Sequence, residues 1–359
     1  MERKEYFKRM KETSDMVNPF IQRYLAEVDF KDPVKKFVEI LPNRRLNRPR
    51  LREFLLRLSY QVSGGKEWEK IIPPYGAAVE LYNDSTYIVN WFLDGKGELT
   101  GKNDEKSAVN AGFLLRELAQ KIIESQPIQK EKTLEILCGL SDVNLGMYKG
   151  QNEDLYNLSI DNFENLSDPD IFLPLVYEKG RLVCGYFASW ITNIGSVLSG
   201  KDHYKKALRD FAIDLSSGIQ LANDAGDFIP YGKSIRTPEK SYKDQVTDIA
   251  NGRLTLPIWY CLKHGDNKQK KALLSLVGRR DAKLEEQEQV VYALRDSGAF
   301  DFIFSETNRL RSACKHHLKS LPDSEEKKLL STMTSLITTN KFYKELREKY
   351  GAGKIDSGK

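Results

Sequence analysis

Apolar residues recur at i, i+3, i+4 and i+7 along most of the chain, the period of a helix with one buried face. The pattern predicts helices over 16–29, 49–64, 74–94, 107–125, 131–146, 170–199, 203–227, 244–264, 267–277, 284–297, 299–320 and 324–347. No Asn-Gly between alternating segments signals a hairpin; Asn251-Gly252 falls inside a helical pattern instead. Breaks fall at Ser63-Gly64-Gly65, 95–103, 149–153, 167–170 and 230–239. The last of these is rich in Pro, Gly and Lys and reads as a mobile flap. No linker separates two composition regimes and no repeat is evident. The expectation is one all-α domain over 1–359 with ten or more helices, its ends 1–15 and 350–359 flexible.

Composition narrows the function classes. The chain has 359 residues, 40% hydrophobic and 30% charged, as a soluble globular protein has. A net charge of +5, with Lys and Glu mixed rather than blocked, argues against a nucleic-acid partner and leaves an anionic small molecule open. Cys138, Cys184, Cys261 and Cys314 show neither disulfide nor zinc spacing, and His203, His264, His316 and His317 show no ligand spacing. The N-terminus lacks the apolar core of a signal peptide. The least polar stretch, 181–200, contains Ser189, Thr192, Asn193 and Ser196 and suits a helix buried in protein rather than lipid. No transmembrane segment is expected, and the expected location is the cytoplasm.

The chemistry concentrates in Gln220-Leu-Ala-Asn223-Asp224-Ala-Gly-Asp227. Asn223 and Asp227 lie one helical turn apart with Asp224 beside them. Taken alone, this is a solvated acidic turn. As a set of hard oxygen donors it also suits Mg²⁺, which shares its ligands with substrate phosphates. Asn83, Asn90 and Asp94, at i, i+7 and i+11, form a polar stripe on an otherwise apolar helix, and such groups need partners if buried. Arg50 and Arg52 open a helix, where backbone N–H groups already favour an anion and an arginine fork can grip phosphate. Lys179, Lys243 and Arg253 add further cations, each of which singly reads as a solvated charge.

Together these segments resemble the trans-isoprenyl diphosphate synthases, or polyprenyl synthetases, of the isoprenoid synthase type I fold, over about residues 16–345. The resemblance implies a helical bundle around a central cavity and prenyl transfer from an allylic diphosphate, with Mg²⁺ as cofactor and a homodimer as the usual assembly. It places Arg48-Pro49-Arg50-Leu51-Arg52 and Asn83 on the isopentenyl diphosphate site. It places Asn90-Trp91-Phe92-Leu93-Asp94 on the first aspartate-rich motif and Asn223-Asp224-Ala-Gly-Asp227 on the second. Lys179, Gln220, Lys243 and Arg253 fall on diphosphate-contacting or catalytic positions. Tyr82, Ser85, Thr86 and Trp91 fall on the product tunnel, where the small Ser85 and Thr86 imply a deep cavity floored by Tyr82.

The departures from the family pattern lie on one side. Only Asp94 keeps an acid in the first motif, Pro49 replaces a lysine, Gly180 replaces a threonine, and an arginine pair after the first motif is missing, with Lys96 and Lys102 as the nearby cations. Losing one such electrostatic contact costs about 10²–10³ in rate. Three readings follow. One is a prenyltransferase with isopentenyl diphosphate or another acceptor. Another is a terpene synthase of the same fold, in which aromatics such as Trp91 and Phe92 stabilise the cation. The third is a non-catalytic subunit that tunes an active homologue. The intact second motif favours an enzyme.

Overall fold

The computed structural model describes residues 3–28, 32, 34–46, 48–93, 105–228, 246–337 and 348. Among these residues the structure is helical, with a single antiparallel bridge, Ser159–Arg253, in place of any sheet. In chain order the helices are α1 (Arg3–Ala26), α2 (Val34–Arg45), α3 (Leu51–Val62), α4 (Trp68–Leu93), α5 (Glu105–Glu124), α6 (Lys130–Asn152) and α7 (Pro169–Gly180). They continue as α8 (Tyr186–Ser199), α9 (Lys205–Gly226), α10 (Thr247–Ala250), α11 (Leu256–His264), α12 (Asn267–Leu274), α13 (Leu284–Asp296), α14 (Ala299–His317) and α15 (Glu325–Met333). The chain divides into two compact units.

Unit 1 is formed by Met1–Val143, Phe187–Ala212 and His317–Met333. The expectation of a flexible end over 1–15 is corrected here: α1 starts at Arg3, and Tyr6, Met10, Thr13 and Ser14 are buried. Helix α2 was not anticipated, and α4 begins at Trp68 rather than 74. Pro73 and Pro74 deprive only the carbonyls of Glu69 and Lys70 of helical partners, and both of those residues are exposed to water. From Ile72 to Ser85 every residue of α4 is buried, which carries Glu80, Asn83 and Asp84 into the interior. Helix α5 packs on α4 so closely at Gly112 that a Cβ there would lie 2.7 Å from Val89 Cγ2 and 3.4 Å from the Ser85 carbonyl oxygen.

Unit 2 is formed by Asn144–Tyr186, Ile213–His316 and Thr334–Lys359. Its core joins Phe172 and Val176 of α7 to Leu221 and Ala225 of α9, Trp259 of α11 and Leu294 of α13. The Phe172 and Trp259 rings stack with centroids 4.7 Å apart, and Trp259 Nε1 donates to the Leu166 carbonyl at 2.7 Å. The helix expected over 244–264 is broken, because Gly252 adopts φ +69° and Leu254 N–H leaves the helical ladder to donate to the Leu158 carbonyl at 2.8 Å. Pro257 then enters the first turn of α11, where its missing N–H costs nothing.

Two single wide turns, closed by i to i+5 hydrogen bonds, follow α6 at Glu153–Asn157 and α7 at Arg181–Gly185. Such turns insert one extra residue and frequently occur at functional sites. The uninterrupted helical run Pro169–Ser199 is long and apolar enough to cross a membrane, yet 61% of its apolar window is buried in the protein. That burial fits the expectation of a core helix.

Candidate active site

Unit 2 collects most of the second-motif residues around a buried ion network. Lys179, 6% exposed at the end of α7, donates to Asp154 Oδ1 at 2.9 Å. The other oxygen of Asp154 pairs with Arg253 Nη1, also at 2.9 Å. Burial alone would lower the Lys179 pKa, but the carboxylates of Asp224, Asp154 and Asp248 outweigh it and hold the ammonium above its usual value.

Helix α9 supplies the acidic arm. Gln220 is oriented from both ends, accepting from Cys184 Sγ at 3.6 Å and donating to Asp224 Oδ1 at 3.0 Å. Asp224 Oδ2 is buried and, among the described residues, has no hydrogen-bond partner. Burial pushes Asp224 up to about 6; Lys179 and the Gln220 hydrogen bond pull it down, and Asp154 and Asp227 push it up. One turn on, Asp227 receives the Thr247 hydroxyl at 2.8 Å and the Asp248 N–H at 3.1 Å. The left-handed Val246 and short helix α10 aim those two donors at it. Asp248 is itself held well above the usual carboxylate range by burial and by Asp227 and Asp224. Asn223 is exposed at the same end of α9.

Asp154 and Asp248 were not among the residues singled out as ligands. Asp154 had one legible signal, the Glu153-Asp154 pair at the C-terminal end of a helix, where the dipole disfavours acids. Its pairing with Arg253 depends on a chain crossing that periodicity does not reveal. Ile160 N–H donates to the Gly252 carbonyl at 2.8 Å, stapling the segment after Asp154 to the one that carries Arg253.

In unit 1 the polar stripe of α4 has a different fate. Arg50, expected to grip phosphate, is engaged within the protein. Arg50 is 6% exposed; Nε and Nη2 both bind Glu53 Oε2, at 3.1 and 2.8 Å, and Nη1 binds Asn18 Oδ1 at 2.7 Å. Glu80 Oε2 lies 4.0 Å from Arg50 Nε. Burial and Glu80 push the fully buried Glu53 up to about 8 against the pull of Arg50. Asn83 is buried too, and its Nδ2 has no hydrogen-bond partner among the described residues. Arg52 is partly exposed, its guanidinium 5.7 Å from the Phe187 ring centroid.

Of the tunnel positions, Tyr82 is buried against Phe187 and Trp190, with centroids 5.1 and 5.9 Å away. Ser85 is buried at the α4–α5 contact, where a small residue permits close backbone approach; its hydroxyl and that of Thr86 bind carbonyls on their own helix. Trp91 is partly exposed and packs on Tyr87. Asn90 is partly exposed on the same turn. Asp94, Lys96, Lys102, Lys243 and the 230–239 flap lie outside the described residues.

A sequence profile described as polyprenyl synthetase matches residues 97–294, more than half of the chain. The chain belongs to the polyprenyl synthetase family. Its family chemistry is prenyl transfer in isoprenoid biosynthesis. A short chain isoprenyl diphosphate synthase of Methanocaldococcus jannaschii is 27% identical over 69% of this chain and 72% of its own length. A geranylgeranyl diphosphate synthase of Methanosarcina mazei is 24% identical over 82% and 86%. The crystal structure of the Pyrococcus horikoshii geranylgeranyl pyrophosphate synthetase superposes with TM-score 0.74 at 20% identity, covering 93% of this chain and 98% of that one. That of the Corynebacterium glutamicum geranylgeranyl pyrophosphate synthase, complexed with isoprenyl diphosphate and magnesium, gives 0.75 at 15% identity over 92% and 99%. These likenesses establish the isoprenoid synthase fold for this polyprenyl synthetase.

Among the described residues, no three His, Cys, Asp or Glu side chains are arranged to hold a metal by themselves. That does not count against Mg²⁺, which keeps waters and takes one or two carboxylates plus substrate phosphates. The donor set fits the ion: Asn223, Asp224 and Asp227 offer only hard oxygens, and the buried, unpartnered Asp224 Oδ2 lacks the partner that a cation would provide.

Proposed function

We propose that the protein ionises an allylic prenyl diphosphate and transfers the prenyl group, with release of pyrophosphate. The observation that carries this reading is the buried network in unit 2, in which Lys179 and Arg253 share Asp154 while Asp224 Oδ2 on the acidic arm has no hydrogen-bond partner among the described residues. Asn223, Asp224 and Asp227 would hold Mg²⁺, joined by Asn90 and Asp94 from the first motif. The bound ion supplies charge neutralisation to the departing diphosphate. Lys179, Arg253 and Lys243 hold diphosphate oxygens, and Gln220 keeps Asp224 turned toward the ligand. A homodimer in the cytoplasm is the working form, and exposed Leu134, Leu145 and Tyr148, which follow one stripe of α6, support the dimer.

A second reading concerns the acceptor. Glu53 occupies the Arg50 fork and Pro49 brings no charge, so of the described cations of this motif only Arg48 and Arg52 remain for a second diphosphate. This favours an uncharged acceptor, water or the prenyl chain's own double bonds, as in a terpene synthase.

The test is an endpoint assay with Mg²⁺ and geranyl, farnesyl or geranylgeranyl diphosphate, each with and without isopentenyl diphosphate. Pyrophosphate release that requires isopentenyl diphosphate and yields longer chains supports ordinary elongation. Release without it, giving a hydrocarbon or alcohol of unchanged carbon number, supports the uncharged acceptor. No release with any substrate would defeat both readings and favour a tuning subunit.

A further inference from the structure

The network in unit 2 contains a conflict that one residue resolves. Lys179 is a buried ammonium and must have an anionic partner, because an unpaired charge at that depth is strongly destabilising. Three carboxylates act on it, Asp224, Asp154 and Asp248, so Asp224 is a competing partner for the ammonium. Yet the hydrogen bond at 2.9 Å goes to Asp154, while Asp224 Oδ2 is left buried without a partner.

We propose that Asp154 is a positioning residue that holds Lys179 away from Asp224 and in register with Arg253, keeping an Asp224 oxygen open for the metal–diphosphate complex. Each oxygen of Asp154 engages a different cation at the same 2.9 Å, so one carboxylate fixes the separation of both. Its own position is set three ways. The wide turn Glu153–Asn157 closes through Leu158 N–H to the Glu153 carbonyl at 2.8 Å. The Leu158–Ile160 and Gly252–Leu254 segments exchange two backbone hydrogen bonds of 2.8 Å. Lys179 enters from the last turn of α7, immediately before the second wide turn. Without Asp154, the ammonium would take the unpartnered Asp224 oxygen, and a lysine would stand where the cation should bind. This inference rests on the reading of Asn223, Asp224 and Asp227 as the metal arm.

The experiment uses the full-length protein, Mg²⁺ and inorganic pyrophosphate, and reads the thermal shift as a function of Mg²⁺ at fixed pyrophosphate. Loss of an outer-shell partner typically weakens a metal site about 10–100-fold, so Asp154→Asn should raise the Mg²⁺ midpoint by that factor. Asp154→Glu, which restores the charge, should recover most of it. The decisive variant is Asp154→Asn in a Lys179→Met background. With no ammonium left to migrate, Asp154→Asn should move the Mg²⁺ midpoint by less than about twofold, the non-additivity expected of coupled sites. An unchanged midpoint in the single variant overturns the inference, as does an equal shift in both backgrounds. If Asp154→Asn fails to fold, Asp154→Gln, which also lacks the charge, is compared in the two backgrounds in the same way: a shift that disappears with Lys179 supports the role, and no shift or one that persists overturns it. Failure of the underlying functional reading looks different, since the unmodified protein would then show no joint Mg²⁺–pyrophosphate stabilisation at all.

Discussion

Each unit buries a polar cluster, and the two clusters are built to opposite ends. In unit 1, Arg50 faces Glu53, Glu80 and Asp84, and its fork is filled by Glu53 and Asn18. In unit 2, Lys179 and Arg253 share Asp154, while Asp224 keeps an oxygen without a hydrogen-bond partner among the described residues and Asp227 accepts from Thr247 and the Asp248 N–H. The Arg50 guanidinium, with both ends of its fork engaged, favours one packing, although Glu53 Oε1 is buried with no hydrogen-bond partner among the described residues. An unsatisfied carboxylate oxygen occurs in both clusters, and what sets unit 2 apart is that Asp224 stands one turn from Asp227 and beside the exposed Asn223, a set of hard oxygen donors. We read ligand chemistry in unit 2 from that donor set and a structural duty in the Arg50 cluster from its filled fork, although the sequence presents both as charged residues on helices.

The largest effect should come from breaking the Arg50 cluster. Arg50→Met leaves the buried Glu53 and Glu80 without their cation, and removing one partner of a buried pair costs about 3–5 kcal/mol. Urea unfolding should show that loss; a change below about 1 kcal/mol, the scale of an exposed pair, would mean that the cluster is not structural.

Asp227→Ala should leave global stability nearly intact but slow pyrophosphate release about 10²–10³-fold. It should also abolish joint stabilisation by Mg²⁺ and pyrophosphate. Retained synergy would contradict the assignment of Asp227 to the metal arm.

Asn90→Asp restores one acid to the first motif and sharpens the contrast from the other side. A charged ligand in place of a neutral carbonyl is worth about 1 kcal/mol, or roughly fivefold tighter Mg²⁺ in the presence of pyrophosphate. Isothermal titration with and without the substitution measures this, and no gain would separate Asn90 from the metal.

The smallest effect is in the pH dependence of unit 1. Glu53 is raised from its ordinary 4.5 to about 8. The stability contributed by its proton is therefore full below the unfolded value and is lost as pH rises through about 8. Thermal melts from about pH 5 to about pH 9 should fall more steeply for the wild type than for Glu53→Gln, whose amide stays neutral. Parallel slopes would place the retained proton elsewhere.

The sequence by itself determined what is local. The 3.6-residue period predicted the helices, because burying one face of each is the dominant driving force. The spacing of Asn223, Asp224 and Asp227 within one turn is fixed by helix geometry alone, and α9 does carry all three. Patterning failed where backbone conformation overrides it, as at Gly252, whose positive φ splits the expected 244–264 helix. It also missed the N-terminal part of α1, whose buried Tyr6 and Met10 alternate with many charges.

Only the tertiary structure decided the partners. Arg50 and Arg52 are two residues apart and were read alike, yet one is consumed by Glu53 and the other lies partly exposed over Phe187. Asp154, Lys179 and Arg253 are distant in sequence and meet because two wide turns and a short backbone pairing bring them together. The physical reason is the range of each force. Helix propensity and periodicity act within a few residues, whereas the pairing of buried charges depends on which surfaces the packed helices bring within about 4 Å.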